Sequence, residues 1–190
     1  MTQAGVFPWS KPMPHTHQNI GQGGTVRHDH LTTILPADHH ALPDLGNIVN
    51  PCVCYASRNA AQVIPFNTNT KILFDAELFD VGANFRADGV NSDFTAPSDG
   101  YYLISSHGAF MNLPAGADQT LDIRVNGGVV AKSQFEVNVQ STEVYMECVT
   151  IQALTAGQVI TSFVRHTGGA DKSLFGGVTQ TYIVVVKLGA

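Results

Sequence analysis

The stretch SDFTAPSDGYYLISSHGAF, residues 92–110, joins a turn to a long apolar-rich run. Pro97 pins its own φ, and Gly100 reaches backbone conformations closed to other residues, so the two mark a turn. The aromatic pair Tyr101 and Tyr102 then opens a strand, because aromatic and β-branched side chains fit a pleated surface. Along such a strand neighbours point to opposite faces. Ser105, Ser106 and His107 therefore do not converge as a catalytic group, and they read as strand filler.

Working outward, the same signal recurs. VCYAS (53–57), KILFDAELF (71–79), TLDIRVNG (120–127), TEVYMECVTIQAL (142–154), QVITSFVRH (158–166) and TYIVVVKL (181–188) are rich in Val, Ile, Phe, Tyr and Thr. Clusters of Gly, Asn, Asp or Pro separate them. In TLDIRVNG, Leu121, Ile123 and Val125 share one face while Asp122 and Arg124 take the other. NGG at 126–128 predicts a hairpin, since Asn and Gly tolerate positive φ. TAGQ at 155–158 predicts a further turn. Short strands at near-regular spacing predict an all-β sandwich or barrel over residues 51–190, with no long helix.

Composition narrows the function. Charged residues are 13% of the 190, and the net charge is −5. That balance argues against a nucleic-acid partner, which requires a basic surface to replace counterions. The low charge suggests that much of the surface faces other protein. No run approaches the ~18 apolar residues of a membrane span, and the start shows no basic region followed by an apolar one. Cys52, Cys54 and Cys148 are an odd count and read as reduced thiols. Cys52 and Cys54 share a strand face and read as small buried hydrophobes.

Residues 1–50 differ. They hold six of the eight histidines, five prolines and the only tryptophan, Trp9, without sustained apolar periodicity. They read as an extended arm, with one short helical turn around Leu31–Leu35. Alone, such a segment buries too little apolar surface to offset its ordering entropy, so it calls for a partner.

The order of landmarks in the β region resembles the globular head of the C1q/TNF-like jelly-roll superfamily. Phe94, Pro97, Gly100 and Tyr102 match a Phe-Thr-x-Pro-x-x-Gly-x-Tyr pattern. Asn126 and Gly127 match a later hairpin, and Leu154, Gly157 and Val159 match a turn that follows it. The resemblance covers about 140 residues. It loosens at the last strand, where FGGVTQTYIVVVKL stands in place of a Phe-x-Gly-Phe-type ending. It implies a jelly-roll β-sandwich, a homotrimer packed about a three-fold axis, and no enzymatic activity. The arm is similar to a second element. His28-x-x-Leu31-x-x-Ile34-x-x-Ala37-Asp38-His39 resembles a short pattern of bacteriophage tail and fibre proteins, with Ala37 where Asp is usual.

Together the two resemblances imply a structural virion protein, made in the host cytoplasm and incorporated in the virion. A capsid decoration, or cement, protein is favoured over a tail-fibre tip, because no heptad or triple-β shaft separates arm and head. Its partners would be itself and the major capsid protein or other virion proteins. Fifty extended residues at about 3.3 Å each reach across neighbouring subunits. His28, Leu31, Ile34, Leu35, Asp38 and His39 are the expected anchoring residues. The alternative is a tail-associated receptor-binding or adhesion head for a host glycan or protein, with NLPAGADQ (112–119) as a loop to test. A secreted signalling-type trimer is a third option.

Metal chemistry has one opening. His15 and His17, and His28 and His30, are His-x-His pairs whose rings share a face on extended backbone, and His39 and His40 lie near them. Three copies about an axis could offer these nitrogens to a first-row transition metal. Hydrogen bonding of the same histidines to backbone or to Asp29 and Asp38 in a chain-chain contact is the favoured reading, so no cofactor is assigned. The cupin metalloenzymes are excluded, because their His pair lies inside a barrel strand with Glu following, and here no Glu precedes Glu77. No Gly-x-Ser-x-Gly or phosphate-loop element is present.

Overall fold

The computed structural model describes residues 52–189; the arm over residues 1–50, its expected short turn and its anchoring residues lie outside them. Thirteen strands follow in chain order: β1 (Val53–Ser57), β2 (Gln62–Ile64), β3 (Thr70–Lys71), β4 (Ala76–Asp80), β5 (Phe85–Arg86), β6 (Asp93–Thr95), β7 (Gly100–Leu113), β8 (Asp118–Val125), β9 (Gly128–Glu136), β10 (Ser141–Leu154), β11 (Val159–His166), β12 (Lys172–Leu174) and β13 (Tyr182–Gly189). Among the described residues there is no helix.

Two antiparallel sheets face each other. In the first, β7 lies between β10 on one side and β13 on the other, and β13 continues through β1 to β4. The short strands β12 and β2 extend this sheet beside the far end of β7. The second sheet runs β5-β6-β11-β8-β9, with β3 also beside β11. The chain crosses repeatedly between the two sheets, which is the wiring of a jelly roll.

Alternation builds the core. Tyr102, Ile104 and Phe110 of β7, Ile183 and Val185 of β13, and Cys54 and Ala56 of β1 point inward from the first sheet. Leu121 and Ile123 of β8 and Ile160 and Val164 of β11 meet them from the second. Phe94 and Tyr102 pack edge to face at 6.1 Å. Burial of one such aliphatic side chain is worth about 1.5–3 kcal/mol.

Polar groups inside are handled individually. His166 is fully buried, yet both ring nitrogens are used. Its Nε2–H donates to the Ile64 carbonyl at 3.0 Å, and its Nδ1 accepts the Gly168 N–H at 3.1 Å. That pair of bonds selects one neutral tautomer. Asp122 faces outward, as its alternation requires, but it is not a solvated residue. Its carboxylate is covered by Arg124 at 3.1 Å and Lys132 at 3.6 Å, and the Arg124 guanidinium lies 3.9 Å from the Phe163 ring centre.

The turn motif takes its residues from local sterics. Tyr102 donates its hydroxyl to the Ser98 carbonyl at 2.8 Å, closing the loop before β7. Gly100 has φ +153, and a Cβ there would overlap the Gly189 carbonyl oxygen. The Asn126-Gly127 hairpin has φ of +49 and +83, the paired positive values of a two-residue turn between β8 and β9.

One expected strand divides. KILFDAELF is not continuous: Lys71 ends β3 in the second sheet, Ala76 starts β4 in the first, and the segment between crosses the sandwich. Ile72 and Phe74 are both fully buried on the way, so a crossing segment keeps an apolar run that resembles a strand. The short strands β2, β5, β6 and β12 carry too few residues to stand out, and β9 is the strand that the expected hairpin at NGG leads into.

Gly100→Ala should destabilise the head by more than Gly127→Ala, whose site has open space around it. Backbone strain alone costs about 1–3 kcal/mol, and only Gly100 adds a collision with backbone. Thermal unfolding of both variants beside the parent measures the difference.

Candidate functional site

The outer face of the first sheet is the unusual surface. A sheet face turned to water ordinarily carries polar residues opposite its apolar inner face. Here β1, β13, β7 and β10 carry large apolar residues on both sides. Their registers align the outward residues in rows. Val53, Val186, Leu103 and Ile151 form one row. Phe79, Tyr55, Val184, Ser105 and Val149 form the next. Ser57, Tyr182, His107 and Glu147 form a third. Val149 and Ile151 are each more than half exposed, at 51% and 57%.

An aromatic ladder crosses these rows. Phe79 lies 5.9 Å from Tyr55, and Tyr55 stacks on Tyr182 at 5.2 Å. Tyr182 stacks on the His107 imidazole at 4.9 Å with the planes 8° apart, and His107 lies 5.9 Å from Tyr145. The ladder thus passes through β4, β1, β13, β7 and β10 in spatial order. Each offset or tilted pair adds about 0.5–1.5 kcal/mol beyond area burial.

The electrostatics of this face are simple. Its outward carboxylates on β1, β13, β7 and β10 are Glu143 and Glu147, both on β10, and no Lys or Arg points outward from these four strands. Tyr145 donates its hydroxyl to Glu143 at 2.6 Å, and Ser105 donates to Glu147 at 3.3 Å. The Tyr145 phenol is raised by its bond to Glu143. Burial raises Tyr55 and Tyr182, reinforced respectively by Tyr182 and by Glu147. All three rings therefore stay neutral phenols through the physiological range.

His107 is held in one orientation. Its Nδ1 lies 2.7 Å from the Gln180 carbonyl, which only accepts, so Nδ1 carries the hydrogen and Nε2 is left as the basic nitrogen. Alternation separates Ser106, which is fully buried, from Ser105 and His107 on the outside. That much agrees with the expected strand geometry, but His107 is a rung of the ladder, between Tyr182 and Tyr145, and not filler. The overlooked signal was that YIVVVKL and TEVYMECVTIQAL stay apolar at both parities.

The other candidates separate cleanly. His15, His17, His28, His30, His39 and His40, with Leu31, Ile34, Leu35 and Asp38, lie outside the described residues. Among the described residues no group of three or more His, Cys, Asp or Glu side chains could hold a metal ion. NLPAGADQ is a tight turn. Leu113 and Ala117 are buried, and Gly116 N–H donates to the Val137 carbonyl at 2.7 Å. Two open depressions, of about 420 and 200 Å³, share Asn84 and Pro97 near the turn before β7, and the cationic Arg86 in the larger already pairs with Asp93.

The fold is similar to that of solved tumour-necrosis-factor-type structures. Murine APRIL is 15% identical with a TM-score of 0.54, and the match covers 73% of this chain and 99% of that one. Eiger TNF from S. frugiperda is 12% identical with a TM-score of 0.53, covering 74% and 94%. The globular domain of zebrafish complement 1qA protein is 17% identical with a TM-score of 0.49, covering 70% and 93%. No protein-family model and no curated protein matches the chain. The first two structures establish the C1q/TNF-like jelly roll as the fold expected from residues 94–102, 126–127 and 154–159.

The thiols give a direct check. Cys52, Cys54 and Cys148 are free and buried, and burial above all raises each of them. Asp80 adds to the shift at Cys52 and Cys54. Since the thiolate is the reactive form, the native head should resist a thiol reagent at about pH 8, and all three cysteines should react once denaturant is added. Fast labelling of the native protein would contradict this burial.

Proposed function

We propose that this chain is a non-enzymatic structural protein, a homotrimeric jelly-roll head fixed through residues 1–50 to a bacteriophage virion as a capsid decoration protein. The observation that carries the self-association is the outer face of β1, β13, β7 and β10, with two aligned rows that are largely apolar and an aromatic ladder that continues into a third, polar row. An exposed apolar patch of this extent is a protein-contact surface.

Covering the aliphatic and aromatic side chains of this face yields on the order of 10 kcal/mol per copy, and association costs about 4–15 kcal/mol. Covering the face on every copy therefore offsets that cost, and a closed symmetric assembly leaves no sticky face exposed. Three-fold geometry for such an assembly is what the resemblance carried by residues 94–102, 126–127 and 154–159 implies.

The virion placement rests on the His28 to His39 pattern and on the arm's composition. A trimer would tie three arms together, so that modest arm contacts with the capsid multiply through effective concentration. The absence of any shaft motif between residue 50 and the head favours decoration of a lattice over a fibre tip.

Two measurements test the reading. Val184→Glu combined with Ile151→Glu should leave the fold intact, since both positions face outward, and should convert the oligomer to a monomer by light scattering. Removing residues 1–50 should leave an oligomeric head that no longer binds capsids lacking the protein. Full capsid binding by the truncated head, or binding of that head to host cells, would move the function to the head itself.

A further inference from the structure

The outward side of β1, β13, β7 and β10 carries carboxylates on β10 and one imidazole on β7, with no permanent cation. Covering such a face removes Glu147 from water. A carboxylate buried without a partner is costly. Glu147 accepts one hydrogen bond, from Ser105 Oγ at 3.3 Å, and no cation pairs with it; it lies directly across the β7–β10 register from His107, and opposite charges at such cross-strand positions attract.

Everything around His107 accepts positive charge. Its Nδ1–H already donates to the Gln180 carbonyl, so protonation adds a hydrogen at Nε2 without breaking a bond. Tyr182 of β13 presents a ring face 4.9 Å away, and Tyr145 of β10 a second ring at 5.9 Å, which suits a cation over π electrons. The charged groups of β10 on this side are Glu143, engaged with Tyr145, and Glu147. Outward positions of β13 contribute only Tyr182, Val184, Val186 and Leu188, and β7 itself adds no further titratable group beyond Tyr101 at its far end. Behind Tyr182, β1 offers Tyr55, and beyond it β4 offers Phe79. Lys187 is turned away, with its Nζ on Ser98 Oγ at 2.9 Å.

We infer that the His107–Glu147 pair makes self-association through this face depend on pH, with the assembled form favoured when His107 is protonated. The inference rests on the self-association proposed above. Its sign follows from linkage: if assembly gives Glu147 a cationic partner, the assembled state binds more protons at His107 than the free chain, and association tightens as pH falls. Histidine in general titrates between pH 5 and 8, which sets the window to examine.

The experiment uses the full chain and its His107→Gln and Glu147→Gln variants at about pH 5.5 and pH 8. Dissociation constants come from sedimentation equilibrium, with subunit exchange between two labelled populations where dissociation lies below detection. The parent should associate about tenfold more tightly at the lower pH. His107→Gln should remove that dependence, and Glu147→Gln should tighten association at the higher pH. An oligomer with the same constant at both pH values overturns this inference alone, as does a dependence that survives His107→Gln or runs in the opposite direction. A chain that is monomeric throughout overturns the self-association reading and this inference with it.

Discussion

Three short turns lock together at one end of the sandwich, and the rest of the head depends on that clamp. Ala96 N–H donates to the Gln158 carbonyl at 2.9 Å, and Gly157 N–H returns to the Ala96 carbonyl at 2.8 Å. Asp99 accepts the Ala156 N–H at 2.8 Å, and Asn126 accepts the Val159 N–H at 2.9 Å through its side chain. The turn before β7, the hairpin after β8 and the turn before β11 are thereby one object. Residues far apart in the chain set the stagger of both sheets at once. Since a one-residue slip would turn each strand inside out, this clamp fixes which residues reach the core and which reach the outer face.

The two faces of the first sheet then do different work. Inward residues fill a closed core, where even His166 has no free nitrogen. Outward residues form a second layer, rich in apolar side chains, that no other described residue covers. The second sheet behaves differently: its outer face is organised by Asp122, Arg124 and Lys132 and by Lys71 with Asp93, charged groups that are paired within the sheet. That asymmetry between the sheets points to one of them as a contact surface.

Much of the fold was legible in the sequence because its signals are local. Pro97 and Gly100, Asn126 and Gly127, and Gly157 are backbone requirements that a few residues reveal, and all sit in turns as expected. KILFDAELF was misread because burial during a crossing and burial within a strand leave the same apolar run. β2, β5, β6 and β12 span two or three residues each, too few to show a pattern, whereas β9 follows the hairpin expected at NGG. The outer face was harder still. Two-sided apolarity in TYIVVVKL and TEVYMECVTIQAL is visible residue by residue, but the ladder joining Phe79, Tyr55, Tyr182, His107 and Tyr145 exists only once strand order is known. The arm histidines have no counterpart in the described head.

β10 has a further consequence. Among the described residues it pairs only with β7, so one side of a fourteen-residue strand presents unbonded backbone. A long strand edge flanked by Val149 and Ile151 is a template for lateral addition of another chain, the first step towards fibrils. Glu143 and Glu147 are the charges that discourage it, acting as gatekeepers along an otherwise permissive edge. Glu147 would then stand at a branch point: the carboxylate that resists orderly assembly of the face also resists disorderly stacking of the edge. Solutions acidic enough to neutralise it would release both restraints, and the chain's solubility in acid would depend on which form of association is faster.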